Sequence, residues 1–156
     1  MIRVYADTSV FGGVFDAEFE RPTKVFFNAV HERRYILVTS ALVARELLVA
    51  PAPVRRFFRK AVRSAEPARV SSAALQLRDA YVDAGILSAR WAADALHVAI
   101  ATVSACPLLI SWNCKHIVHF QKIPKYNAVN RLQGYADVAI HTPLEVTGDE
   151  DDPETV

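Results

Sequence analysis

Three carboxylates stand apart from the other acids of this chain. No acid precedes Asp7, Glu46 is the only one between residues 33 and 65, and Asp94 is the only one from residue 84 to residue 136. Each has apolar neighbours: Val4-Tyr5-Ala6 before Asp7, Leu47-Leu48-Val49 after Glu46, and Ala92, Ala93, Ala95 and Leu96 around Asp94. Burying an unpaired carboxylate costs several kcal/mol or forces it to protonate, so something cationic should meet these groups. Singly, each has an ordinary alternative: Asp7 capping a turn, Glu46 pairing with Arg45, Asp94 on an exposed helix stripe. Together, a strand-end acid and two helix acids flanking one sheet edge can converge on one cation. Mg²⁺ and Mn²⁺ take oxygen ligands and keep several waters, so a few carboxylates suffice for either.

The elements that must position these acids can be read along the chain. Ile2 to Ala6 is short and β-rich and predicts a first strand that ends in the polar Asp7-Thr8-Ser9 turn. Gly12 and Gly13 break the chain before a helix from about Pro22 to Arg33, where Pro22 is tolerated in the first turn. Tyr35 to Thr39 predicts a second strand, and Ser40 caps a helix through about Val49 that Pro51 and Pro53 stop. A basic helix follows over Val54 to Arg63, then a short strand near Arg69 and Val70. Ser71 or Ser72 caps a helix to about Ala84 with Gly85 as its stop, and Ser88 caps a long apolar helix to about Ser104. Leu108 to Trp112 is a buried strand, Asn113 to Phe120 a loop with a short helix, and Val138 to His141 a last strand. Strands alternating with helices predict a three-layer α/β/α domain with a mostly parallel central sheet. Ligands bind such sheets beyond the carboxyl ends of the strands, where Asp7 and Asn113 both fall.

Composition sets the outer bounds. At 156 residues, 52% hydrophobic and 22% charged, the chain suits one domain with a full core and excludes disorder as its main state. No apolar run is long enough for a membrane span, and no basic-then-apolar leader opens the chain. Cys106 and Cys114 form neither a disulfide framework nor a CxxC pair, so a cytoplasmic, reducing location is expected. Five acids and no base occupy residues 149–156, leaving 18 bases against 12 acids in residues 1–148. That basic body suits a polyanionic partner, and residues 148–156 are expected to form a disordered acidic tail beyond a domain over 1–147.

Several segments resemble the PIN-domain ribonucleases, especially the VapC-type toxins of toxin–antitoxin pairs. Val4-Tyr5-Ala6-Asp7-Thr8-Ser9-Val10-Phe11 resembles the family's first strand with its acid, and Ala41-Leu42-Val43-Ala44-Arg45-Glu46-Leu47-Leu48 the helix with the second. Ala92-Ala93-Asp94-Ala95-Leu96-His97-Val98-Ala99-Ile100-Ala101 resembles the third-acid helix and is the most specific of these matches. Leu109-Ile110-Ser111-Trp112-Asn113-Cys114-Lys115-His116-Ile117 resembles the segment that closes the site, and Thr142-Pro143-Leu144-Glu145-Val146 the end of the domain. Many relatives carry a fourth acid where this chain has Asn113, whose amide oxygen can orient a water but adds no charge.

The resemblance implies a PIN-like fold and divalent-metal-dependent endoribonuclease activity, leaving a 5′-phosphate and a 3′-hydroxyl. Asp7, Glu46 and Asp94 would hold Mg²⁺ (or Mn²⁺), Thr8 and Ser9 would orient the carboxylates, and Asn113 would position a water or the phosphate. It also implies a homodimer, neutralised by a small antitoxin whose Arg or Lys enters the acidic groove. Asn113 keeps open an alternative: a PIN-like module that binds RNA or protein without cutting.

Other residues invite weaker readings. Arg55, Arg56, Arg59, Lys60 and Arg63 recur at near-helical spacing, either as a solvated face or as a phosphate-tracking stripe. Cys114, His116 and His119 suggest zinc, but no further Cys/His pair is near enough to complete a ligand set. His97 reads as a packed or hydrogen-bonded core residue, Cys106 and Cys114 as core thiols, and Trp112 as core or rim packing. Asp7-Thr8-Ser9 also resembles haloacid-dehalogenase-type phosphatases, but these need an acid two positions on, where this chain has Ser9.

Overall fold

The computed structural model describes residues 1–147, and the acidic segment 148–156 lies outside the described residues. Five strands form one parallel sheet: β1 (Ile2–Ala6), β2 (Tyr35–Ser40), β3 (Glu66–Ala68), β4 (Leu108–Ile110) and β5 (Ala139–His141), in the order β3-β2-β1-β4-β5. β1 pairs with β2 in register Val4 to Leu37 and with β4 in register Val4 to Leu108. The central strands are apolar because both of their faces are covered. Val4, Tyr5 and Ala6 of β1 and Leu109 and Ile110 of β4 are fully buried.

Among the described residues, eight α-helices complete the fold: α1 (Thr8–Gly13), α2 (Glu20–His31), α3 (Ala41–Glu46), α4 (Ala52–Ala61), α5 (Ser72–Asp83), α6 (Ala92–Val103), α7 (Lys122–Leu132) and α8 (Pro143–Thr147). The chain steps from β1 to β2 to β3 in one direction, then crosses back over β1 to β4 and β5. Parallel crossovers are nearly always right-handed, so the reversal puts the later helices on the opposite face. Packing follows that rule: α1 packs on α2 and α4, and α5 on α6 and α7, while α8, which follows the last strand and lies in no crossover, returns to pack on α2. The direction changes between β1 and β4, which opens a crevice at their carboxyl ends.

Local signals explain the helix ends. The Ser40 hydroxyl accepts from the Val43 N–H to start α3, and Ser71 accepts from Ala74 N–H to start α5. Gly85, at φ +76°, lets the chain leave α5 where a side chain would be strained. α6 is buried at every position from Ala95 to Thr102, which accounts for its unbroken apolar sequence.

Several expectations need correction. The third strand is Glu66–Ala68 rather than Arg69–Val70, because it pairs with the end of β2 through Val38, Thr39 and Ser40. Gly12 and Gly13 do not break the chain but end α1. A β-carbon at Gly13 would sit 2.8 Å from Thr23 Oγ1 and 2.8 Å from Trp112 Nε1, so the glycine is required by close packing. Ser88 starts a 3₁₀ turn over Ala89–Trp91, and α6 begins only at Ala92. α7 has no counterpart in the sequence reading. Its buried face is Tyr126 and Asn130, and Asn130 hydrogen-bonds Tyr81 and Thr102, so a polar residue interrupts the apolar period. Cys106 is a core thiol, raised to about 11 by burial, whereas Cys114 is exposed.

Candidate functional site

Asp7 leaves the end of β1 and enters the crevice beside β4. It precedes α1 in an extended conformation and makes no side-chain cap, so its carboxylate is not spent on the turn. The residue is 4% exposed. Ser9 Oγ donates to Asp7 Oδ1 at 2.5 Å, and Ser111 Oγ donates to Oδ2 at 2.8 Å. Both hydroxyls are aimed by the backbone after β4: Trp112 N–H donates to Ser9 Oγ and Asn113 N–H to Ser111 Oγ, each at 2.9 Å. No lysine or arginine bonds to Asp7 among the described residues. Burial therefore pushes its pKa up, against the lowering pull of His97 and the two serine hydroxyls, and the Glu46 charge adds to the rise.

Glu46, the last residue of α3, is half-buried and closes a chain of hydrogen bonds that begins in the core. Thr8 Oγ1 donates to Glu46 Oε1 at 2.7 Å, and His97 Nε2 lies 2.5 Å from the same oxygen. The His97 Nδ1 lies 2.8 Å from the Tyr5 hydroxyl, which lies 2.8 Å from Ser40 Oγ. One assignment satisfies every group: Val43 N–H donates to Ser40, Ser40 to Tyr5, Tyr5 to Nδ1, and Nε2–H to Glu46. Burial raises the Glu46 pKa, but the hydrogen bonds from His97 and Thr8 outweigh it, with Arg45 adding to the fall, and hold the carboxyl below its ordinary value.

Asp94 sits in the first turn of α6, where the helix dipole favours a negative charge. It is half-buried and makes no hydrogen bond or ion pair among the described residues. His97 follows it by three residues and so shares its helix face. The structure thus brings Asp7 and Glu46 into one crevice and puts Asp94 one helical turn from the imidazole that binds Glu46. Among the described residues, however, no three carboxylate, imidazole or thiol groups close into a ready ion-binding set. The donors themselves suit a hard divalent ion, being all carboxylate oxygen. Among the described residues, the buried Asp7 carboxyl also meets only hydroxyls, a lack that a cation would relieve.

Asn113 follows β4 as expected, but its amide oxygen accepts from His116 N–H at 3.0 Å and so caps the turn after it. Arg55, Arg56, Arg59, Lys60 and Arg63 are exposed along α4 and the 3₁₀ turn after it, and none forms an ion pair among the described residues. Phe57 and Phe58 point away from them, against Phe11 and Phe27. His119 accepts from Gln121 N–H, and His116 stacks on Trp91. Trp112 packs against Phe19 at 4.2 Å and donates to Thr23 Oγ1.

Two partners of the carboxylates were not assigned that role from sequence. Ser111 is fully buried against Asp7, and its signal was its place directly after an apolar strand. His97 is in the core, as expected, yet it also touches Glu46, and its three-residue spacing from Asp94 was the available hint.

No protein-family model and no curated protein matches the chain. Several solved structures share its fold, two of them as follows. The crystal structure of VapBC2 from Rickettsia felis, bound to a DNA fragment from their promoter, aligns with a TM-score of 0.55 at 10% identity, covering 90% of this chain and 98% of that chain. FitAcB from Neisseria gonorrhoeae aligns with a TM-score of 0.53 at 15% identity, covering 90% and 97%. With the parallel sheet, these likenesses bear out the expected PIN-like α/β fold. No helix among the described residues is long and apolar enough to cross a membrane.

Proposed function

We propose that this chain is a divalent-metal-dependent endoribonuclease and the toxin member of a toxin–antitoxin pair. The observation that carries the reading is Asp7: a buried carboxylate at the switch point of a parallel sheet, gripped on both oxygens by hydroxyls and bonded to no base, with Glu46 close enough to raise its pKa further. Asp7, Glu46 and Asp94 would hold Mg²⁺ or Mn²⁺. When bound, such an ion lowers the pKa of its water, screens the phosphate and stabilises the leaving oxygen. The chain's own residues do the rest. Ser9 and Ser111 fix the Asp7 carboxylate, Thr8 and His97 fix Glu46, and Asp94 stays unpaired for the incoming cation. Asn113 uses its amide oxygen to hold the turn beside the crevice and keeps its amide N–H groups for a water or phosphate.

The two solved neighbours, named VapBC2 and FitAcB, support an antitoxin partner, and Leu48 and Val49 support it from the chain itself. They lie two and three residues after Glu46 and are 69% and 92% exposed, leaving an apolar edge for a partner segment beside the acids. A cytoplasmic homodimer is the form we propose for the free toxin.

A second reading, an RNA- or protein-binding module without activity, is favoured by the open carboxylate set and by Asn113 acting as a cap. Metal titration separates the two. Purified protein with a structured, end-labelled RNA is expected to shorten it in Mg²⁺ or Mn²⁺, leaving 5′-phosphate ends, and to leave it intact in chelator. RNA that is held equally in both conditions and never shortened establishes the binding module instead.

A further inference from the structure

We propose that a single-stranded segment of RNA is gripped by Arg90, Trp91, Lys115 and His116, at the start of α6, rather than by the basic face of α4. The inference rests on the nuclease reading and says where that site holds its substrate.

The cluster joins two separate stretches of chain. Trp91 immediately precedes α6 and is half-buried, and the His116 ring stacks on it with centroids 4.6 Å apart and planes 29° apart. The Arg90 guanidinium carbon lies 5.0 Å from the Trp91 ring centroid, and Lys115 Nζ lies 5.3 Å from it. Both cations are exposed, and neither has an acidic partner among the described residues. Lys122, by contrast, is occupied by the Ile86 carbonyl oxygen. Both ring nitrogens of His116 are buried without a hydrogen-bond partner among the described residues, an unusual cost for a side chain that serves packing alone. The turn carrying Lys115 and His116 is held in place by the Asn113 cap.

Position gives the cluster its meaning. Asp94 lies three residues beyond Trp91 and is close enough to act electrostatically on His116. A site of carboxylates repels the phosphates on either side of the scissile bond, so an adjacent cationic surface must hold them. Exposed Arg and Lys resting on an aromatic ring can swing onto phosphates and leave a ring face for a base. Stacking on an aromatic ring with nearby cations is how proteins hold unpaired strands with little sequence preference. Among the described residues, the five bases of α4 and the turn after it have no such ring beside them, since Phe57 and Phe58 are turned inward against Phe11 and Phe27.

The test uses a fluorescein-labelled, unstructured RNA oligonucleotide with the full chain in chelator, where anisotropy reads binding without cleavage. Arg90→Ala with Lys115→Ala is expected to weaken binding about 10-fold at low salt. Loss of two phosphate contacts should also make the slope of log affinity against log salt shallower by about 1.4. Arg56→Ala with Arg59→Ala is expected to change neither. In the Trp112→Phe chain, whose remaining tryptophan is Trp91, RNA should quench the fluorescence, and in the Trp91→Phe chain it should not. Wild-type affinity and slope in the Arg90/Lys115 double variant, with RNA still cleaved in Mg²⁺, overturn the grip and leave the nuclease standing. A wild-type chain that neither binds nor cuts RNA overturns both.

Discussion

An Asp7→Asn chain is expected to melt at a higher temperature than wild type at pH 7 in chelator, while cleaving RNA at least about 100-fold more slowly in Mg²⁺. Both effects have one origin. Burial raises the Asp7 pKa, so the native state binds its proton more tightly than the unfolded chain does. Stability therefore falls as pH rises through the window from the ordinary carboxylate pKa, about 4, to the raised native value. Asn does not titrate and carries no charge to bury, and Ser9 or Ser111 can rotate to accept its N–H. The variant's advantage should be present at pH 7 and vanish below about pH 4, where Asp7 is protonated in both states. Saturating Mg²⁺ should raise the wild-type melting temperature by mass action and leave the variant's unchanged. For the rate, losing residues that merely support metal ligands typically costs about 10- to 100-fold, so losing a ligand should cost at least the upper figure. Thermal melts at pH 3.5 and 7, with and without Mg²⁺, check the first half. A lower melting temperature for the variant at pH 7 in chelator would show that the Asp7 charge is already satisfied within the fold.

Variants of His97 should separate packing from positioning. His97→Ala removes a buried ring and the donor to Glu46, and is expected to cost about 2–4 kcal/mol of stability, as other large-to-small core changes do. His97→Leu refills much of that volume but cannot donate, leaving Tyr5 bonded only to Ser40 and Glu46 only to Thr8. It is expected to recover most of the stability and still cleave about 10- to 100-fold more slowly, because Glu46 is no longer aimed. His97→Gln can put an N–H where Nε2–H now sits and should cleave faster than the Leu variant. Urea denaturation and initial cleavage rates in Mg²⁺ give the two readouts. Equal rates for Leu, Gln and wild type would reduce His97 to a core residue.

The sheet was legible because its central strands are continuous apolar runs ending in polar turns, as at Tyr5-Ala6-Asp7 and Ile110-Ser111. The edge strand β3 was not, since Glu66-Pro67-Ala68 has no strand-like side chains and exists by pairing with β2. α7 was hidden by Asn130, a polar residue at a core position whose partners lie far away in sequence, on α5 and α6. α1 was hidden by Gly13, which turned out to answer a packing demand set by Thr23 and Trp112.

At the site, the solitary acids stood out because each was the one charge in an apolar stretch. The groups that aim them did not, because Ser111 meets Asp7 only across the folded sheet, and Tyr5 and Ser40 reach Glu46 only through His97. Asn113 was noticed for the charge it lacks, and the role of its oxygen as a cap depends on the turn that follows it. Closure of the three acids on one ion depends on side-chain placement across three elements, which no local pattern carries.

Asp94 is the acid with no partner of its own, so its contribution tests the metal-centred account most directly. Initial rates of RNA cleavage in Mg²⁺ should be measured for wild type and Asp94→Asn side by side, with melting curves confirming that both are folded. The account predicts that the variant folds as well as wild type and has lost about 100-fold or more of its activity. An Asp94→Asn chain that cuts RNA at the wild-type rate would contradict it.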